Sequence, residues 1–259
     1  MSAVGADCRI TPFRVVRAEW SKLWTLRSTW YALGGCVVLT AVVGVVIAVS
    51  AGDGPRGPSD PVELSLFGLN FAQLVLPILG VLVTAGEYST GMIRASMTAV
   101  PRRLPVLWSK AAVFGAVVFG TVLVTAFGVF GLAQLFLSGT ALAASYGDPG
   151  VLRALFGSAA VLALLGVLGL ALGALTRGVP AGIGAFVVLL TVLPQLAGTL
   201  PYEWVDTVVR CTPLPAGQGL MAALPQPDSL SPLTGLATLT AWTAAALGAA
   251  GLLLKRRDV

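Results

Sequence analysis

The stretch from Gly86 to Lys110, GEYSTGMIRASMTAVPRRLPVLWSK, decides how the rest of the chain is laid out. It is the longest polar interruption in the first half of an otherwise apolar chain, and it carries Glu87, Arg94, Arg102, Arg103 and Lys110. One apolar run ends just before it at Ala85, and another begins just after it at Ala111. Tyr88 to Val100 has the makeup of a short helix. Pro101 ends that helix, because its ring disfavours helical geometry at Val100. A compact, basic, partly helical loop between two apolar runs is a natural docking element for a partner on its own side of a membrane.

The composition agrees with a membrane setting. Of 259 residues, 56% are apolar and 10% charged, and the mean hydropathy is +0.90. Soluble domains carry about 25% charge. The net charge of +5 does not point to nucleic acid, since the cations lie between apolar runs rather than on one soluble face. Cys8, Cys36 and Cys211 offer neither a disulfide framework nor metal-ligand spacing. No short apolar segment with a small-residue cleavage site leads the chain, so the first apolar run is expected to stay as an anchor.

Thr11 and Pro12 form a helix start, with a capping hydroxyl followed by a ring whose missing amide costs nothing there. The helix is expected to run from residue 12 to Trp30. Phe13, Val16, Trp20, Leu23 and Trp24 share one face at helical spacing, and Arg14, Arg17, Ser21 and Lys22 fall on the other. Three tryptophans in eleven residues suit a headgroup boundary, so this is read as an interfacial helix meeting anionic lipid.

Six apolar runs then follow, each long enough for a hydrocarbon core that takes about 20 helical residues. They are placed at Tyr31 to Ala51, Leu64 to Gly86, Ala111 to Leu137, Ala154 to Thr176, Val179 to Leu200, and Leu233 to Leu254. The expectation is one all-α transmembrane domain over residues 1–259, with a cytoplasmic loop at 87–105 and an external segment at 201–232 that holds six prolines. Only Arg177 and Gly178 separate the fourth and fifth runs, which predicts a tight antiparallel pair. With the N-terminus inside, 13 of the 16 cations fall on inner segments and seven of the 11 acids on outer ones. Both termini and the Gly86 to Lys110 loop are therefore expected in the cytoplasm.

Motifs for covalent chemistry are missing. No phosphate-binding Gly-x-x-x-x-Gly-Lys-Ser/Thr loop occurs, and the absence of histidine removes His-based acid/base catalysis, zinc helices and the Ser-His-Asp triad. No catalytic, cofactor or metal residues are assigned. Asp53 and Asp60 share a turn with Gly54 that reads as solvated rather than as a cation cage. No charge falls in the middle of a predicted span, which argues against ion-coupled transport through buried carboxylates.

The second run carries a stripe of Asn70, Gln73, Pro77, Gly80, Thr84, Glu87, Gly91 and Arg94 at alternating steps of three and four. On a continuous helix it is either a polar seam lining a pathway or a packing seam of small and polar residues. Asn70, Gln73 and Thr84 are its candidate pathway positions. Arg102 and Arg103 also serve as ordinary positive-inside anchors. Glu87 does not, and it is expected to pair with a nearby arginine, Arg102 or Arg103 after the turn at Pro101.

These features together resemble the membrane subunits of ABC-2 type exporters. The resemblance rests on the amphipathic segment with Glu19, Trp20, Lys22 and Leu23, on six spans, and above all on GEYSTGMIRASMTAVPRR followed by Lys110. It implies that Glu87, Tyr88, Gly91, Arg94, Arg102 and Arg103 belong to a coupling loop touching a separate ATPase subunit, which holds ATP and magnesium. It also implies a homodimer or heterodimer of permease subunits in the plasma membrane, moving a hydrophobic or amphiphilic substrate outward by alternating access, without nucleic acid or covalent chemistry on this chain. Two other readings are an intramembrane enzyme acting on lipid, which needs polar groups clustered at one membrane face, and a non-transporting regulator that binds a cytoplasmic protein.

Overall fold

The computed structural model describes residues 12–25, 27–51, 60–89, 91, 103–140, 142–226 and 229–256. The fold is all helical, with no strand among these residues. Helix α1 (Pro12–Thr25) precedes α2 (Arg27–Ala51), the short α3 (Pro61–Ser65), α4 (Leu69–Ser89) and α5 (Arg103–Leu137). Then come α6 (Val151–Thr176), α7 (Val179–Val187), a π-helical turn (Val188–Val192), α8 (Leu193–Ala197), α9 (Glu203–Arg210), α10 (Pro213–Met221) and α11 (Pro232–Arg256). Six helical segments are long and apolar enough to cross a membrane, with α7 and α8 joined through the π turn as the fifth. The chain is a six-span membrane protein with an additional helix in front.

The spans begin and end differently from the sequence expectation. The first helix stops at Thr25 rather than reaching Trp30, and Arg27 already belongs to the first span. The second span starts at Leu69, because Asp60 and Pro61 start a separate turn of helix: the Asp60 carboxylate accepts from the amides of Val62 (2.8 Å) and Glu63 (3.2 Å). Asp60 is buried, and its other oxygen accepts from the Leu224 amide at 2.7 Å, so it staples two loops and is not the solvated turn expected. Asp53 lies outside the described residues. The third span is 35 residues long, about 52 Å at helical rise, against a core of about 30 Å. Its excess lies at the Arg103 end, where Lys110 sits in the second turn.

The bundle is built around α6, the most buried span, with α4, α5, α7, α10 and α11 packed around it. Close approach comes from glycine. A Cβ on Gly80 would strike the carbonyl of Gly166, and one on Gly169 would strike that of Pro77, so α4 and α6 touch backbone to backbone. At Gly173 the same atom would lie 2.9 Å from the Val81 carbonyl. α2 lies across α4 and α5, and its outer face of Val38, Val42, Val46 and Val49 is exposed. α6 and α7 form the tight pair expected, with Arg177 in the left-handed region (φ 56°) and Gly178 extended between them.

Candidate functional site

At the Ser89 end of α4, four charged side chains from three helices meet, three of them away from solvent. Glu19 comes from α1, Glu87 from α4 and Lys110 from α5, and all three are buried (3%, 6% and 4% exposed). Lys110 Nζ donates to Glu87 Oε1 and pairs with Glu19 Oε2, both at 2.7 Å. Lys22, half-exposed at the rim, bonds Glu19 Oε1 at 2.9 Å and Glu87 Oε1 at 3.3 Å. Two carboxylates and two ammonium groups alternate, so the cluster is formally neutral.

The placement follows from helix geometry. Val15, Glu19 and Leu23 are spaced by four and form the buried strip of α1, which packs along α5. The sequence expectation places Leu23 on the face of Phe13, Val16, Trp20 and Trp24, whereas the structure turns Leu23 inward beside Val15 and Glu19. Phe13, Val16, Trp20 and Trp24 are exposed, and the acid faces the protein. In a membrane the outward face of a helix meets lipid, and polar groups turn toward protein partners. The exposed tryptophans are ordered all the same: Trp20 stacks on Trp24 at 5.5 Å, and Trp24 meets Trp30 edge-on at 4.4 Å. The Trp30 indole donates to the Trp24 carbonyl, joining the first helix to the first span.

Burial lowers the proton affinity of Lys22. Hydrogen bonds and charge from Glu19 and Glu87 outweigh it, and they hold its pKa above the ordinary 10.5. Glu87 Oε2 and the Thr84 hydroxyl have no hydrogen-bond partner among the described residues. Both residues border a cavity of about 20 Å³ that is also lined by Tyr88, Lys110 and Leu254. That is room for about one water molecule.

Of the residues singled out from sequence, Thr84, Glu87 and Tyr88 gather here. Tyr88 lies beside Glu87, and the Arg177 guanidinium stands 5.5 Å from the centre of its ring, tying the end of α4 to the α6–α7 turn. Gly91 has φ 73°, so the helical stripe does not pass through it as one continuous face; α4 ends at Ser89. Arg94, Arg102 and most of the Tyr88 to Val100 helix lie outside the described residues, as does the side chain of Arg103. Among the described residues the cations on Glu87 are Lys110 and Lys22, neither of which is the arginine expected after Pro101. Asn70 and Gln73 lie at the other end of α4, where the Gln73 amide donates to Asn70 Oδ1 at 3.2 Å. Between the two ends the stripe is helix packing, at Pro77 and Gly80. Among the described residues no group of three or more acids, cysteines or histidines comes together.

Glu19, Lys22 and Lys110 are not among the sequence candidates. The available signal is Glu19 lying four residues from Val15 and Leu23, so that a face apolar at both neighbours carries an acid. An acid on such a face needs a cation opposite it, and Lys110 is the one nearest the start of the third span.

The arrangement suits mechanical linkage rather than chemistry. Charges this well paired hold a fixed geometry, and removing one partner leaves an uncompensated charge that costs about 3–5 kcal/mol. The net stabilisation from such a pair is small compared with burying apolar groups of the same volume. What the cluster adds is register: α1, α4 and α5 meet in one relative position at the Ser89 end of α4 and the Arg103 end of α5. Comparison with protein-family models gives no match, and neither does comparison with curated proteins.

Proposed function

We propose that the chain is the membrane-spanning permease subunit of an ATP-driven exporter of the ABC-2 type. It works as a dimer with a second permease subunit and with separate ATPase subunits that bind ATP and magnesium. Both termini and the loop after α4 are cytoplasmic, in the plasma membrane, and the chain itself carries out no covalent chemistry. The observation that carries this reading is the buried Glu19–Lys110–Glu87 arrangement. It locks the interfacial helix to the two spans on either side of the 90–102 loop, so a force on that loop is passed to three helices together. A loop that only anchored topology would have no need of such a linkage. Substrate transport then follows from a change in how the α1, α4 and α5 unit sits against its dimer partner.

The test is purification of the chain in mild detergent from cells expressing its neighbouring reading frames, followed by reconstitution. Recovery of a separate ATPase whose hydrolysis drives substrate out of vesicles is the expected result. Glu87→Gln and Arg94→Ala, scored at equal membrane abundance, are expected to weaken coupling of hydrolysis to transport. ATP hydrolysis by the chain alone, or unaltered coupling in both variants, would overturn the assignment.

A further inference from the structure

Several hydroxyls inside this bundle satisfy themselves on their own helix. Thr125, Ser158, Thr176 and Thr243 each donate to the carbonyl one turn back, at 2.7 to 3.0 Å. Thr84, which is 4% exposed, does not, and its hydroxyl has no partner among the described residues. Glu87 lies one turn further along the same face of α4 and is in the same position, because its Oε1 takes Lys110 and Lys22 and its Oε2 is left over. An unmade hydrogen bond on a buried group forfeits the full hydration of that group. Two such groups side by side point to one common cause.

Both residues line the cavity of about 20 Å³ enclosed by α4, α5, α6 and α11. Lys110 lines it too, and two of its three N–H groups are spent, on Glu87 Oε1 and on Glu19 Oε2. Tyr88, Val106, Leu107, Ala174 and Leu254 complete the wall. A space this small has one heavy-atom position, so the hydroxyl, the carboxylate and the ammonium that border it converge on the same point.

These three groups define the occupant. Its size is that of one heavy atom. It carries no charge, because the two acids and two lysines already balance: a cation would press on the Lys110 ammonium, and an anion on the Glu87 carboxylate. It has to accept from Lys110 and Thr84 and to donate to Glu87 Oε2, since a carboxylate only accepts. From this convergence we infer that the cavity is the binding site of a single ordered water molecule, which bridges α4 to α5 and completes the hydrogen bonding of the charged cluster. Three partners is the usual number for a buried water. Thr84 is then a positioning residue for this water and not a wall of a transport pathway. The site is independent of any ATPase.

The test uses the purified full chain in detergent and one conservative variant. Thr84→Val keeps the volume and removes the hydroxyl. With water in the cavity it deletes one of three hydrogen bonds, and it is expected to lower the melting temperature by about 2–4 °C. With a dry cavity it relieves an unpartnered buried hydroxyl, and the melting temperature rises. Crystals of the native chain identify the occupant directly when grown in rubidium bromide, because both ions scatter anomalously. The expected result is a single peak within about 2.5–3.2 Å of Thr84 Oγ1, Glu87 Oε2 and Lys110 Nζ, without anomalous signal. A melting temperature of Thr84→Val equal to or above the native value, no peak between the three groups, or an anomalous peak there would overturn the inference.

Discussion

Lys110 and Glu87 are 23 residues apart in the chain and 2.7 Å apart in space, the ammonium of the third span seated on the carboxylate of the second. Because Lys110 also holds Glu19, its removal leaves two buried carboxylates facing each other with only the half-exposed Lys22 between them. Lys110→Met is therefore expected to destabilise the chain by about 3–5 kcal/mol. Lys22→Met, at the solvated rim, is expected to cost about 0–1 kcal/mol. Thermal unfolding of the two variants in the same detergent checks the order. Equal effects would mean that the cluster is solvated throughout.

The same cluster sets an alkaline limit. Lys22 has its pKa raised on folding, so its contribution is fully present below its ordinary pKa of 10.5 and is lost as pH climbs through the higher folded value. The Lys22 contribution is expected to stay constant from neutral pH to about 10. Above that, the native chain is expected to lose stability more steeply than a Lys22→Gln variant. Parallel slopes for the two proteins across this range would show that the raised pKa does not exist.

How much of this is legible in the sequence depends on what each residue faces. Six spans and the tight Arg177–Gly178 turn follow from hydropathy and length, which do not depend on neighbours. The facing of α1 does not, because a stripe of Phe13, Val16, Trp20 and Trp24 looks identical whether a protein core or lipid lies against it. Glu87 calls for a cation on sequence grounds alone, and the loop offers Arg102 and Arg103 as the local choices. That choice assumes an exposed acid for which only nearby partners count. Burial of Glu87 makes Lys110 the partner, since the long third helix brings its second turn back over the end of α4. The stripe on the second span is legible as a pattern but not as a continuous surface. Gly91 at φ 73° ends what Asn70 begins.

Contact between α4 and α6 depends on particular glycines. Gly80→Ala and Gly169→Ala each place a methyl against a backbone carbonyl of the facing helix, where no rotamer change relieves it. Each is expected to cost about 1–3 kcal/mol, the penalty of overpacking. Gly120→Ala meets open space within 4 Å and is expected to be neutral, or stabilising by about 0.5–1 kcal/mol through helix propensity. Melting temperatures of the three variants separate a packing seam from an open one, and a harmless Gly169→Ala would show that the two helices are not in close contact.

The proposed orientation is testable through thiols. Cys8 lies outside the described residues on the side assigned to the cytoplasm, Cys36 is within the first span, and Cys211 follows α9 on the side assigned to the exterior. Cys211 is only half-exposed, so slow labelling there is ambiguous alone. Gly147→Cys supplies a second reporter between α5 and α6: the position is exposed, and a Cβ there comes no nearer than 3.7 Å to Ser145. Each thiol is tested in a chain whose other cysteines are replaced. A membrane-impermeant maleimide applied to intact cells is expected to modify Cys211 and the Gly147→Cys variant, and to reach Cys8 only after permeabilisation. Cys36 should stay unmodified in both conditions. The reverse pattern, with Cys8 labelled first, would put the charged cluster and the 90–102 loop outside the cell, beyond the reach of any ATP-hydrolysing partner.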